Sequence, residues 1–348
     1  MARRRARRPG PLDARSRAIL RAIIEEHVAT AVPVGSQTLC EKYGLGVSSA
    51  TVRSTMAELE AVGLISHPHT SAGRIPSDSG YRYYVESIAE HVALAPVEQL
   101  MIRHQFGQVE YSSEQWFRLA AATLAAATHA AGLATPAKPP RTRFKRIALA
   151  AVQPRLAGLV FVPLEGSLRQ ALVSFNVAAT QAELDAAAAT LNGAFAGRTA
   201  AQIESRAVDL DGLAGAITRR VVAIMHEVDA SLVETLFSEG LLNVMAAPEF
   251  AITEKLRRVM GALQDHVYLA RLVETVARRG DVQVFIGHEN PLDEMRDVSL
   301  VVAPYGQPGH AVGIVGVLGP TRMAYPHAIS SVRYVSGLMS ELVGQLYS

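Results

Sequence analysis

Apolar positions in the first fifth of the chain recur at helical spacing and predict a series of short helices. The first helix is expected over residues 13–30, with Asp13 capping its start. Pro33 and Gly35 end it, and a second short helix is predicted over residues 37–43. The apolar face of the first helix consists of Ile19, Leu20, Ile23, Ile24 and Val28.

A third helix is predicted to start at a serine cap, Ser48 or Ser49, and to run to Val62. Gly63 stands where a helix commonly stops in the left-handed conformation. The inward side chains of the third helix, spaced four and three positions apart, are Val52, Met56 and Leu59.

The opposite face of the third helix is small and polar, formed by Ala50, Thr51 and Ser54 with Arg53 beside them. A helix that enters a DNA major groove, about 12 Å wide, needs short or base-contacting side chains near its N-terminus. Taken alone, this face is equally compatible with an ordinary solvated helix surface. The segment that follows favours the groove.

Residues 64–76 predict a two-stranded wing, because two short apolar stretches flank a turn-rich tip. Arg74 is suited to a phosphate or a minor groove. After the wing, Ser77 caps a helix predicted to reach residue 91, in which Tyr81 and Tyr84 are expected to pack inward. The other polar side chains at the tip are His67, His69, Thr70 and Ser71.

Residues 12–91 are therefore interpreted as an N-terminal winged helix-turn-helix that binds DNA, with eight candidate contact residues. His67 and His69 belong to the wing, and no third ligand of suitable spacing supports a metal site there. The expected roles are helix positioning on the DNA backbone by Ser48 and Ser49, base-edge contact by Thr51 and Ser54, and phosphate or groove contact by Arg53 and Arg74.

The middle of the chain predicts a second unit after a proline-rich linker at residues 135–140. Residues 97–132 are expected to be mostly helical. Beyond the linker, three apolar stretches separated by turns predict an antiparallel meander of strands at 144–152, 156–163 and 168–175. Alanine-rich helices are expected over residues 181–194 and 217–237.

The last third of the chain predicts a further mixture of helices and strands. Helices are expected through residue 279 and a long helix at 328–347, with strands at 282–286, 300–304 and 312–318. In Gly319–Pro320–Thr321–Arg322–Met323–Ala324–Tyr325, the Arg322 and Tyr325 side chains are expected to stabilise the turn into the last helix, with ligand orientation as the alternative. The pattern alone supports a multidomain α+β chain.

Composition excludes some classes of protein but does not identify this one. The 348 residues are 49% hydrophobic, and a net charge of +2 is too small to indicate nucleic-acid binding by itself. Residues 1–11 contain five arginines and are expected to be a disordered arm, which either attracts phosphate without specificity or is merely solvated. A single cysteine, Cys40, excludes an internal disulfide and fits a cytoplasmic protein.

No membrane-spanning apolar run, catalytic motif or cofactor motif is present in the sequence. The chain is expected not to be an enzyme and to need no cofactor and no metal.

Four segments resemble the family of heat-inducible transcription repressors HrcA. The winged-helix match is PVGSQTLCEKYGLGVSSATVRSTMAELEAVGLI followed by HTSAGRIPSDSGYRYYV. FSEGLLNVMAAPEF, from Phe237 to Phe250, and VGIVGVLGPTRMAYP, from Val312 to Pro326, resemble two later signatures of that family.

The resemblance implies a repressor of chaperone operons that binds an inverted-repeat operator as a homodimer and is released on heat stress. It also implies that a GroEL-type chaperonin helps maintain the active repressor. For the fold, it implies a GAF-like α+β domain over residues 92–140 and 241–348, with an inserted α+β dimerisation domain at 141–240. The alternative is a winged-helix regulator whose GAF-like domain senses a small molecule.

Two positions depart from the family pattern. Ser54 and Thr55 stand where the family usually has an amide followed by an acid, and Ser79 stands where it often has a lysine. An asparagine can contact adenine with two hydrogen bonds, whereas a serine makes a shorter and less selective contact. Operator sequence or affinity is therefore expected to differ from the family norm.

Overall fold

The computed structural model describes residues 10–67, 73–88, 93–109, 113–137, 141–164, 168–206, 210–230, 236–250, 253–307 and 311–346. Over these residues the buried apolar side chains form three clusters. One cluster joins the N-terminal helices to one face of a five-stranded sheet, the second covers the opposite face of that sheet, and the third fills a separate three-stranded unit. The predicted basic arm lies mostly outside the described residues.

The three N-terminal helices form where the apolar spacing predicts them. The side chain of Asp13 accepts a hydrogen bond from the Ser16 amide (2.7 Å) and caps the first helix. The second helix starts one residue earlier than predicted, with Gly35 as its N-cap. The bounds are α1 at Ala14–Thr30, α2 at Ser36–Tyr43 and α3 at Ser49–Ala61.

The predicted wing is present as two short antiparallel strands, β1 at Ile65–Ser66 and β2 at Ile75–Pro76. Gly63 adopts φ +77° between α3 and β1, as expected for a residue that ends a helix in the left-handed region. Ser77 caps the next helix, α4, at Asp78–Ser87. This helix ends earlier than predicted, and residues 89–92 lie outside the described part of the chain.

Two helices lead from the winged helix into the five-stranded sheet, α5 at Pro96–Gly107 and α6 at Ser113–Thr128. The predicted helical stretch to residue 132 is wrong at its end, because Ala131–Ala134 form strand β3. His129 has φ +52°, which ends the helix before the strand. Gly132 then lets β3 lie directly on α6, since a Cβ there would sit 1.9 Å from the Ala121 carbonyl oxygen.

The antiparallel meander predicted in the middle of the chain is confirmed. Its strands are β4 at Phe144–Gln153, β5 at Leu156–Pro163 and β6 at Arg169–Ser174, in the order β4-β5-β6. One face packs against helices, which are α7 at Gln181–Phe195, α8 at Ala200–Arg206 and α9 at Gly212–Ala230.

The opposite face of this meander, which we call the outer face, carries no helix among the described residues. Arg146 and Gln170 lie on this face, and between and beside them are small and aliphatic side chains in two cross-strand rows. In the first row Ala148 pairs with Val160 and Val160 with Gln170, and in the second Ala150 pairs with Gly158 and Gly158 with Leu172. Leu172 is 59% exposed. An apolar sheet face of this kind is usually covered by something else.

The chain then returns to the five-stranded sheet through β7 at Phe237–Glu239. The helix predicted through Phe237 is wrong at its end, because α9 ends at Ala230. The Phe237 ring packs 5.6 Å from the ring of Phe117, and β7 pairs with β3. Residues 237–239 thus belong to the large sheet, although the sequence placed them within the insert.

The remaining elements complete a five-stranded sheet in the order β7-β3-β10-β9-β8, with every neighbouring pair antiparallel. Helices α6 and α13 cover one face, and α11 and α12 cover the other. The bounds are α10 at Leu241–Met245, α11 at Thr253–Gln264, α12 at His266–Arg279, β8 at Gln283–Ile286, β9 at Val298–Gln307, β10 at Ala311–Pro320 and α13 at Tyr325–Leu346.

The winged helix packs on the five-stranded sheet unit through α4 and the end of α1. Tyr81 is 1% exposed and lies between His27, whose Nδ1 is 2.8 Å from the Tyr81 hydroxyl, and the ring of Tyr325. This confirms the inward packing expected for Tyr81. Burial and the positive charge of Arg322 lower the pKa of His27 below its ordinary value of 6.5, against a smaller opposing effect of Glu249.

The Arg322–Tyr325 segment has two structural roles. Tyr325 donates a hydrogen bond to the Thr321 carbonyl (2.6 Å), which stabilises the turn into α13 as expected. Arg322 reaches away from the turn, forming an ion pair with Glu249 and approaching the Val28 carbonyl at the end of α1 (3.4 Å). The arginine therefore joins the sheet unit to the winged helix, a role that the sequence did not indicate.

None of the described helices is both long enough and apolar enough to cross a membrane.

Gly132→Ala is expected to lower the free energy of unfolding by about 1–3 kcal/mol, because the added methyl group would force β3 away from the α6 backbone. Gly193→Ala in α7 is the matched control, since no atom lies within 4 Å of the place that its added methyl group would take, and alanine favours a helix. Urea unfolding of both variants measures the difference. Equal stability of the two variants would contradict the close strand-helix packing.

Candidate DNA interface

The N-terminal end of α3 is organised by Ser48. Its side-chain oxygen accepts a hydrogen bond from the Thr51 amide (3.2 Å) and lies 3.0 Å from the Thr51 hydroxyl. Of the two candidate caps, Ser48 is thus the N-cap. The first-turn amides of α3 point toward the open end of the helix, which is the arrangement that favours contact with a phosphate.

Ser49 connects the two helices of the helix-turn-helix. Its hydroxyl lies 3.0 Å from that of Ser36, the first residue of α2. This hydrogen bond fixes the start of α3 against the start of α2. The expected contact of Ser49 with a DNA backbone stays a prediction, and its hydroxyl already has a partner within the motif.

The outward face of α3 matches the helical pattern. Val52, Met56 and Leu59 are buried, as predicted, and Thr55 is buried with them. Arg53 and Ser54 are exposed, and Thr51 is half-buried. Within the described residues, neither the Arg53 nor the Ser54 side chain forms a hydrogen bond or ion pair, so both are available to a ligand.

Helix α2 is held against α1 by a cluster around Glu26. The Glu26 carboxylate, whose side chain is 8% exposed, pairs with Lys42 (2.6 Å) and accepts a hydrogen bond from the Tyr43 hydroxyl (3.2 Å). Burial and the Glu26 charge raise the pKa of Tyr43 to about 12, so the phenol stays protonated and donating. The sequence predictions did not include this cluster, although a charged residue at an inward helical position could have indicated it.

Arg74 links the wing to α3. Its guanidinium pairs with Glu60 near the end of α3, with Nη2 2.9 Å and Nε 3.0 Å from the same carboxylate oxygen. It also lies against His67, whose Nδ1 is close to both the Arg74 guanidinium and the Gly73 carbonyl oxygen, 3.1 Å from the latter. The Arg74 backbone pairs with Val34 ahead of α2. Arg74 therefore fixes the wing in place before any DNA is bound.

The tip of the wing is only partly described. His67 and Arg74 lie at its two bases, while His69, Thr70 and Ser71 fall in residues 68–72, outside the described part of the chain. Their expected contacts with DNA stay predictions. Within the described ranges, no three His, Cys, Asp or Glu side chains converge in a way that suits a metal ion.

The geometry thus brings seven of the eight candidate residues to one end of the winged helix. Ser48, Thr51, Arg53 and Ser54 follow the first turns of α3, and Ser49 supports them from within the motif. His67 and Arg74 lie on the adjacent wing, joined to α3 through Glu60. A short-side-chain helix beside a basic wing is the arrangement that winged-helix proteins present to DNA.

Comparison with known proteins finds related proteins over nearly the whole chain. The family model described as HrcA protein C terminal domain matches residues 114–329. The heat-inducible transcription repressor HrcA of Chloroflexus aurantiacus is 41% identical over 97% of this chain and 95% of its own length. That of Roseiflexus sp. (strain RS-1) is also 41% identical, over 97% of this chain and 96% of its own.

The solved structure of a protein described only as hypothetical supports the fold. It is 22% identical, covers 97% of this chain and 100% of its own, and has a TM-score of 0.64. The family comprises transcription regulators and not enzymes. On the family model and the relatives over almost its full length, this chain belongs to the family of heat-inducible transcription repressors HrcA.

Proposed function

We propose that the chain represses transcription as a homodimer whose two winged helices bind the two halves of an inverted-repeat operator. The observation that supports this most directly is the capped N-terminal end of α3, where small polar side chains and the exposed guanidinium of Arg53 lie next to the wing. Such a helix fits a major groove, and its amides favour phosphate contact. The symmetry of a dimer then matches that of the repeat.

Within this proposal, Thr51 and Ser54 approach base edges and Arg53 binds phosphate or a groove edge. Ser48 and Ser49 position the start of α3 on the DNA backbone, and His67 and His69 contribute from the wing. Arg74 combines two tasks, because its ion pair with Glu60 orients the wing while its side chain remains 23% exposed toward a phosphate or minor groove. Ser54 gives a less selective base contact than an amide would.

Arg53→Ala is expected to weaken binding to the inverted repeat several-fold at about 0.15 M salt and to reduce the salt slope by about one, because one phosphate contact is lost. Gel shifts over a series of salt concentrations measure both quantities. Arg258→Ala on α11 removes the same charge from an exposed position far along the chain and is expected to leave both unchanged. If Arg53→Ala and Arg74→Ala both bind as tightly as the wild type, the assignment of the interface fails.

We propose that the dimer forms through the meander unit, which corresponds to the predicted dimerisation insert at residues 141–240. The five-stranded unit then corresponds to the GAF-like domain of residues 92–140 and 241–348, with β7 transferred to it. The outer face supports this proposal, because Ala148, Ala150 and Leu172 are exposed on it and their partners on the central strand, Val160 and Gly158, are uncharged. Two such faces from two copies are self-complementary.

Leu172→Glu is expected to produce a monomer, because the proposed interface would bury the new carboxylate without a partner on strand β6 of the outer face. Sedimentation analysis measures the mass, and gel shifts with whole and half repeats measure the effect on DNA. Binding to the whole repeat is expected to weaken by about a hundredfold or more, because the second half-site contact is no longer intramolecular.

Val177→Glu is the matched control for this experiment, since Val177 is 74% exposed on the same unit but follows β6 and lies off the outer face. It is expected to remain a dimer. A dimeric Leu172→Glu variant would exclude the outer face as the interface.

We also propose a heat response, which membership of the family suggests, and a GroEL-type chaperonin as the partner that restores the active repressor. We expect the dimer to lose operator binding on warming and to recover it more completely when a GroEL-type chaperonin and ATP are present. Footprinting before heating, after heating and after recovery measures the active fraction. Full binding well above growth temperature, with no effect of chaperonin, would contradict this mechanism. The repression takes place in the cytoplasm, where the operator and chaperonin are found.

A further inference from the structure

Helix α4 attaches the winged helix to the five-stranded sheet unit by contacts that are directional. Arg82 of α4 donates from Nε to Oε1 of Glu289 (2.8 Å), and its Nη2 contacts both the second Glu289 oxygen and the Val284 carbonyl. A guanidinium held by two carboxylate oxygens tolerates little rotation. The acceptor is fixed as well, since Glu289 accepts the amide of Ile286 (2.9 Å).

Asp78 forms the second directional contact, one turn earlier on α4. Its Oδ2 accepts hydrogen bonds from the His288 amide (2.9 Å) and from Nδ1 of the same residue (2.7 Å). The carboxylate lies so close to the chain that a Cβ on Gly287 would sit 2.2 Å from it. Gly287 also has φ +50°, a conformation that suits glycine. The turn at Gly287–Glu289 is thus shaped to receive Asp78.

These contacts fix an orientation that an apolar contact alone would leave adjustable. Tyr81 and Tyr325 provide the buried apolar part between the same two units, with ring centroids 5.7 Å apart. Rotating the winged helix about that contact would separate Arg82 from Glu289 and Asp78 from His288. The direction in which α3 points is therefore set by these contacts with the sheet unit.

In a dimer that holds its two sheet units in a constant arrangement, a fixed direction of α3 fixes the distance between the two α3 helices. Half-site spacing on DNA follows from that distance, whereas winged helices on free tethers would accept a range of spacings. We propose that Asp78, Arg82 and Glu289 are positioning residues that determine which half-site spacing the repressor accepts. This inference rests on the proposed dimeric operator binding and assigns to these residues a role in DNA selection without contact with DNA.

The test compares full-length wild type with Glu289→Gln and Asp78→Asn, two substitutions that keep side-chain shape. The probes are duplexes carrying the inverted repeat that the wild type protects, with its spacer kept or changed by one, two or five base pairs. Wild type is expected to lose about tenfold or more in affinity when the spacer changes by two base pairs. For both variants we expect that loss to shrink to about threefold or less, because the winged helices can then reorient.

Glu254→Gln is the matched control, because Glu254 forms an exposed ion pair with Arg257 on α11 that does not join the two units. It is expected to keep the wild-type spacing preference. Thermal unfolding of each variant is measured alongside, since a purely stabilising role would lower the melting temperature and weaken all probes equally, leaving the ratio between spacers unchanged.

The possible outcomes distinguish a failure of this inference from a failure of the proposed operator binding. If wild type prefers no repeat over scrambled duplex, the proposed operator binding fails and the spacing role fails with it. If wild type binds the repeat but both variants keep its discrimination between spacers, only the positioning role is overturned. Equal binding of wild type to all spacers also overturns it, because the attached winged helices would then not fix the spacing.

Discussion

Strand β3 is the constraint on which the rest of the structure depends. Only four residues long, Ala131–Ala134, it pairs with β10 on one side and with β7 on the other. These pairings bring together segments that lie more than a hundred residues apart in sequence, and they close the chain between β3 and β7 into a loop that folds as its own unit. The meander and its helices accordingly have a hydrophobic core of their own, separate from the two clusters that cover the large sheet.

The same strand shows where prediction from sequence stops. Local patterns identified α1, α3 and the meander, because a capped helix with an apolar face and an apolar stretch between turns each carry their information within a few residues. Ala131–Ala134 and Phe237–Glu239 carry none of this information. The first continues an alanine-rich helix, and the second follows one. Both become strands because partners distant in sequence offer hydrogen bonds, and no short window contains those partners.

In the candidate interface, too, the features that depend on one helix were predictable and those that depend on contacts between elements were not. The helical period placed Arg53 and Ser54 outward and Val52 inward, and the structure agrees, since these directions depend only on α3 itself. The ion pairs of Arg74 with Glu60 and of Arg82 with Glu289 were not foreseen. Each depends on how one element lies against another, and a charged side chain in the sequence does not state whether its partner will be DNA or protein. For Arg74 the structure adds a protein partner to the expected one.

The segments that resemble the family outside the DNA-binding motif meet at the winged helix, which gives a physical reason for their joint presence. Glu249 comes from one segment and Arg322 from the other, and together they lie at the C-terminal end of α1. A guanidinium there is favoured by the unpaired carbonyls of the helix end. Burial, together with the same charge, lowers the pKa of His27 and so favours its neutral form, and the ring shares a hydrogen bond with Tyr81. The orientation of the winged helix is thus maintained in part by residues of the sheet unit, which lie outside the helix-turn-helix.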